Sequence, residues 1–182
     1  MAGSDSDEKD DSSAAPSDGA ASSEPSTEAL AATPTEASHA LSFLPAEVVR
    51  AGGVSDLAIV GSFPSDDSPS EHNFRPNPAF FTFLQATIAT YGPSVGALRA
   101  AALKQGSGWL YVLDMRTPAG AALTLDDLIG AFEVKDGAFV ANSYRSNPGY
   151  RAVTASGQFR FPSWLVALLR QQLPSVPPPA SA

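Results

Sequence analysis

From Asn77 onward the apolar residues Phe81, Leu84, Ile88 and Tyr91 recur at the spacing of one helical face. Asn77-Pro78 supplies a capping side chain and a pre-set φ at the first helical position, and Gly92-Pro93 stops the run. A second helix is predicted in Ser94–Gly106, with Val95, Leu98 and Ala102 along one side, Lys104 in its last turn and Gly106 as its terminator. The period then changes to two. Trp109–Met115 reads as a strand with Trp109, Tyr111, Leu113 and Met115 on one face and Leu110, Val112 and Asp114 on the other.

Thr124-Leu125-Asp126-Asp127 has the pattern of a capped short helix with acids in its first turn. Ala131–Lys135 and Ala138–Asn142 flank Asp136-Gly137, a pair suited to a two-residue hairpin turn. A weaker hairpin is predicted for Tyr150–Thr154 and Gln158–Arg160 around Ser156-Gly157. The closing helix runs over Pro162–Leu173, with Leu165, Leu168 and Leu169 on one face and Pro174 as its stop. Upstream, Pro45–Arg50 reads as a helical turn closed by Gly52-Gly53, and Ser55–Phe63 as one short strand. Strands cluster and do not alternate with long helices. The expected class is α+β: one small domain with an antiparallel sheet of about three to five strands packed against helices, behind a disordered N-terminal tail.

Charge sharpens the domain boundaries. Residues 1–40 hold nine acids and one base, Lys9, which accounts for the whole net charge of −8; the other 142 of the 182 residues sum to zero. That leader has no aromatic residue and cannot bury enough apolar surface to offset the entropy of ordering. The expected division is an acidic disordered tail over 1–40 and a linker with a short helix and strand over 41–70. The α+β domain covers 71–173 and a Pro-rich tail 174–182. The leader lacks the basic and apolar regions of a secretory signal, and no apolar run approaches a bilayer span, so the expected location is cytoplasmic. With no Cys, disulfide scaffolds, thiolate zinc sites and cysteine nucleophiles are excluded.

The most specific feature is a pair of related segments. Phe74-Arg75-Pro76-Asn77-Pro78-Ala79-Phe80 and Tyr144-Arg145-Ser146-Asn147-Pro148-Gly149-Tyr150 both read aromatic, Arg, any residue, Asn-Pro, small, aromatic, and hold the only Asn-Pro pairs in the chain. One reading is turn chemistry, with Asn accepting from nearby backbone donors and Pro fixing φ. The other is a mouth where Arg75 and Arg145, edged by Phe74 and Tyr144, grip a carboxylate or phosphate. After Asp136 no acid follows, while Arg145, Arg151, Arg160 and Arg170 do, which suits anion recognition.

Catalytic templates fail on inventory. His39 lies in the leader, and His72 beside Glu71, Asp66 and Asp67 fits neither an EF-hand nor a zinc spacing. Gly92-Pro93-Ser94-Val95-Gly96 has the letters of a nucleophile elbow, but a helix precedes it and no His follows position 72. Asp126 with Asp127 matches acids at a helix start, and Glu133 with Asp114 is an imaginable acid–base pair across the sheet. The expected role is therefore a small interaction module that binds an anionic ligand or an acidic partner segment. Its binding residues are Phe74, Arg75, Asn77, Tyr144, Arg145, Asn147, Tyr150 and Arg151, with no cofactor, metal, nucleic acid or membrane. The alternatives are an enzyme acting on a small anionic substrate through Asp114, Glu133 or His72, and a structural subunit packing through Phe80–Tyr91.

Overall fold

A computed structural model describes residues 38–51, 54–116, 122 and 124–174. The expected closure of the first helical turn at Gly52-Gly53, most of the acidic leader and the Pro-rich tail after Pro174 lie outside the described residues. The class is α+β, with antiparallel sheets of three and four strands and four helices.

The first sheet joins β1 (Ser38–Ser42), β2 (Ile59–Pro64) and β3 (Arg75–Pro76) in that order. Helix α1 (Ala46–Arg50) lies between β1 and β2. Phe43, Ala58 and Val60, from the stretch expected as a linker, belong to the core cluster. After β3 comes α2 (Pro78–Tyr91), capped by Asn77, and then α3 (Gly96–Gln105), closed by Gly106 at φ 79°.

The second sheet orders β4 (Gly108–Leu113), β5 (Leu128–Lys135) and β6 (Ala138–Phe139), with β7 (Arg145–Ser146) also paired to β5. Asp136 at φ 52° and Gly137 at φ 76° make the tight turn between β5 and β6, as their sequence predicts. The small hairpin β8 (Val153–Thr154) to β9 (Gly157–Gln158) pairs Thr154 with Gly157, so its turn is Ala155-Ser156, one residue before the expected pair. Helix α4 (Ser163–Gln172) buries Leu165, Leu168 and Leu169 as its spacing predicts.

Two local expectations are corrected, and the facing of β4, which alternation leaves open, is fixed. The buried stripe of α2 is Phe80, Leu84, Thr87 and Ile88, while Tyr91 is 42% exposed. Leu84 and Ile88 are buried as expected, and at the start of the helix Phe80 takes the buried place expected for Phe81 because it packs against Phe43 and Phe161. The stretch after Thr124 forms only a three-residue 3-10 turn, Leu125–Asp127, because Thr124 Oγ1 donates to Asp127 Oδ2 (3.1 Å) and does not cap. On β4 it is the aromatic face that points outward: Val112 and Asp114 are buried, and Trp109, Tyr111 and Met115 are exposed.

The two Asn-Pro segments are the visible part of a larger resemblance, because the chain builds the same unit twice. In each half a hairpin with a bulge near the end of its first strand, at Leu41/Ser42 and Val112/Leu113, brings in Ile59-Val60-Gly61-Ser62-Phe63 or Leu128-Ile129-Gly130-Ala131-Phe132. A short third strand then pairs back, Gly61 with Pro76 and Gly130 with Ser146. The ring of Phe74 lies where a Cβ on Gly61 would be, and that of Tyr144 where a Cβ on Gly130 would be. The close approach of strand and ring requires glycine at both positions.

The halves diverge after the turn. Ala79 leads directly into α2, whereas Gly149 and the β-branched Val153-Thr154 favour extended chain and postpone the helix to Ser163.

Candidate functional site: a groove between the two Asn-Pro turns

Each Asn of the repeated segments is a structural fastener. Asn77 Nδ2 donates to the carbonyls of Asp56 (2.9 Å) and Ile59 (2.8 Å), while its Oδ1 accepts from the Ala79 N–H (3.1 Å). Asn147 does the same with Leu125 and Leu128 (both 2.6 Å) and with Gly149 (3.0 Å). The backbone N–H of Asn77 bonds to Val60 and that of Asn147 to Ile129. Both turns are thereby tied to the central strand of their own half.

What the turns create together is a groove of about 630 Å³, within the size range of small-ligand sites. Phe74 and Pro76 come from the first turn; Ser146, Asn147, Pro148 and Tyr150 come from the second. Helix α2 contributes Phe81, Thr82 and Gln85, and the segment Arg151–Val153 forms the remaining wall with Glu71 at the rim. Phe81 and Tyr150 meet in this groove with ring centroids 6.2 Å apart. Most of the lining is apolar, with a few polar groups of opposite character.

The sequence-predicted site residues therefore separate. Phe74, Asn147, Tyr150 and Arg151 line the groove. Arg75 and Arg145 do not: both are exposed on the short strands β3 and β7, opposite Ser62 and Ala131. Strand alternation explains this, since each Arg is next to a groove residue and so faces the other way. Asn77 is a fastener outside the lining. Tyr144 is packed over Gly130, its hydroxyl donates to Gln85 Oε1 (2.5 Å), and burial raises its pKa. Through that bond, and the bond from Gln85 Nε2 to the Ile129 carbonyl (3.2 Å), Tyr144 sets the position of a groove residue. The Arg151 guanidinium has no ion pair or hydrogen bond among the described residues.

Behind the Arg151–Thr154 wall lies a buried charge network. Arg116, which no motif or spacing in the sequence marks, is 7% exposed; Asp114 is 3% and Asp127 2%. Arg116 Nε bonds Asp127 Oδ1 at 2.5 Å, and Nη2 lies 3.5 Å from Asp114 Oδ2. The same guanidinium donates to the carbonyls of Asp126 (3.0 Å), Gly157 (3.2 Å) and Arg151, and it stands 5.8 Å from the Tyr150 ring centroid. Asp114 accepts from the Tyr150 hydroxyl (2.9 Å) and from the N–H groups of Arg116 (3.0 Å) and Arg160 (2.7 Å). The Tyr150 pKa rises well above its ordinary value, first because of burial and then because Asp114 lies beside it.

The corresponding positions in the first half are apolar, Phe43 for Asp114 and Ala58 for Asp127. The network thus replaces a piece of core and anchors the groove wall and its Tyr150. Among the candidates for acid–base work, Asp114 is buried in this network, Glu133 is exposed on β5, and His72 pairs with Glu71 at 3.4 Å on the surface. Among the described residues no group of three or more His, Cys, Asp or Glu comes together, and no helix is long and apolar enough to cross a membrane. Comparison with protein families, with curated proteins and with solved structures finds no match for this chain.

Proposed function

We propose that the protein is a small interaction module, and that the groove between the Asn-Pro turns is where it takes an anionic ligand or an acidic segment of a partner. The observation that carries this is a preformed, largely apolar groove with a guanidinium on its wall, Arg151, that has no ion pair or hydrogen bond among the described residues. An apolar or aromatic body would lie against Phe74, Phe81 and Tyr150, and its carboxylate, sulfonate or phosphate would face Arg151. Gln85 and Thr82 offer hydrogen bonds along the same channel. Arg75 and Arg145, outside the lining, serve a longer acidic partner by attraction at a distance and not by a shared grip.

A fluorescent anion with an aromatic body, anilinonaphthalene sulfonate, tests the reading. It is expected to bind the folded chain saturably with one site, more weakly as salt is raised. Arg151→Ala lowers affinity about fivefold, the effect of roughly 1 kcal/mol from one partly screened charge pair. Binding that is unchanged in Arg151→Ala, or that appears only on unfolding, contradicts the proposal.

A further inference from the structure

Among the described residues, strand β4 lies at the edge of its sheet and pairs only with β5. Its open groups can be assigned from the far side of β5: Glu133 receives Val140 N–H on its carbonyl (2.9 Å) and donates its own N–H to Ser143 Oγ (3.1 Å). Glu133 therefore turns away from Trp109, its partner on β4, and Trp109 directs its N–H and C=O to the free edge. Tyr111, two residues on, does likewise. Beyond them the edge is covered, because the Met115 N–H bonds to the Arg160 carbonyl (2.7 Å).

The side chains on this stretch are equally unusual. Trp109 is 42% and Tyr111 52% exposed on the outer face. The duplicated half supplies an internal comparison, for the same places in the β1–β2 hairpin are held by Ser38 and Ala40. The hairpin does not need aromatics there. Gly108–Leu113 also carries no charge, no Pro and no Lys, the devices that ordinarily keep sheet edges apart.

We propose that β4 is a dimerisation strand, and that a second copy of this chain adds its own β4 antiparallel across a twofold axis at Leu110. This register places Trp109 opposite Tyr111 of the second copy, and the reverse. Both residues hold their free N–H and C=O toward the seam, so each such pair exchanges two hydrogen bonds. On the outer face it stacks aromatic against aromatic on both sides of the axis. Gly108 falls opposite Val112, and no like charges meet at the seam. A charged partner would find no counter-charge on the strand, whereas its own copy brings the same open N–H and C=O groups of Trp109 and Tyr111. The groove has no lining residue on β4, so both sites can be used together.

Sedimentation equilibrium of the full chain is expected to show a mass rising from 18.8 kDa toward twice that value as concentration goes from micromolar to near-millimolar. Tyr111→Lys places two ammonium groups at the seam and holds the mass at the monomer value. Ala40→Lys, at the matching place on β1, leaves association as in the parent. Because the chain has no Cys, Leu110→Cys adds a single thiol on the axis, and mild oxidation is expected to link two chains covalently. That arm decides the matter if Tyr111→Lys fails to fold by circular dichroism. A monomer at the highest concentration, a dimer that survives in folded Tyr111→Lys, or no covalent dimer from Leu110→Cys overturns the proposal.

Discussion

Arg116 shows how much one side chain can hold. Its guanidinium joins a carboxylate after the β4 bulge, another at the end of the 3-10 turn, and three backbone carbonyls around the groove wall. Removing it takes the guanidinium from between two buried carboxylates, Asp114 and Asp127, so Arg116→Met is expected to cost about 3–5 kcal/mol in urea unfolding. Adding Asp127→Ala should recover part of that loss, because one of the two buried carboxylates facing the lost guanidinium goes with it and Ala58 already fills the matching place in the other half. A double variant less stable than Arg116→Met by the full cost of Asp127→Ala alone would show that the two do not act as a pair. Arg116 was not legible in the sequence, where it reads as the last residue before a turn. Its role depends on a bulge and on contacts far along the chain, neither of which periodicity reports.

At the scale of elements, the duplicated unit rests on two glycines under two aromatic rings. A Cβ on Gly130 would stand 2.7 Å from Tyr144 Cζ and 2.8 Å from the Arg145 carbonyl oxygen, and the carbonyl cannot move without opening the β5–β7 pairing. Gly130→Ala is therefore expected to destabilise by about 3 kcal/mol. Gly96→Ala, at the open start of α3 with nothing within 4 Å, should be neutral or slightly stabilising. Equal melting temperatures for the two variants would contradict the packing described here.

Much of this level was readable in advance: the Asn77 cap, the Gly106 stop, the Asp136-Gly137 turn and the leucines of α4 all follow from local chemistry. The facing of β4 was not. Alternation tells which residues share a face, and here the inward face carries the only charge, Asp114, while the outward one carries Trp and Tyr. Hydrophobicity alone points the wrong way when a buried ion network stands where the other half has Phe43.

For the molecule as a whole, the two Asn-Pro turns do converge on one groove, but with Phe74, Pro76, Pro148 and Tyr150 and not with Arg75 and Arg145. The sequence showed that the motif was used twice. It did not show that strand alternation sends Arg75 and Arg145 away from the lining, while Arg151, expected beside them, does line it. Helix α2 adds Thr82 and Gln85, three residues apart on the side of Phe81, a polar pair that looks like an ordinary helix surface until the second turn is set opposite.

The measurement that tests this groove most directly is an amide chemical-shift map of the labelled chain titrated with anilinonaphthalene sulfonate. The account predicts that the shifted amides cluster at Phe74, Thr82, Gln85, Ser146, Arg151 and Val153, and that Arg75 and Arg145 move little. Shifts centred on Arg75 and Arg145, or scattered over surfaces away from the groove, would contradict it.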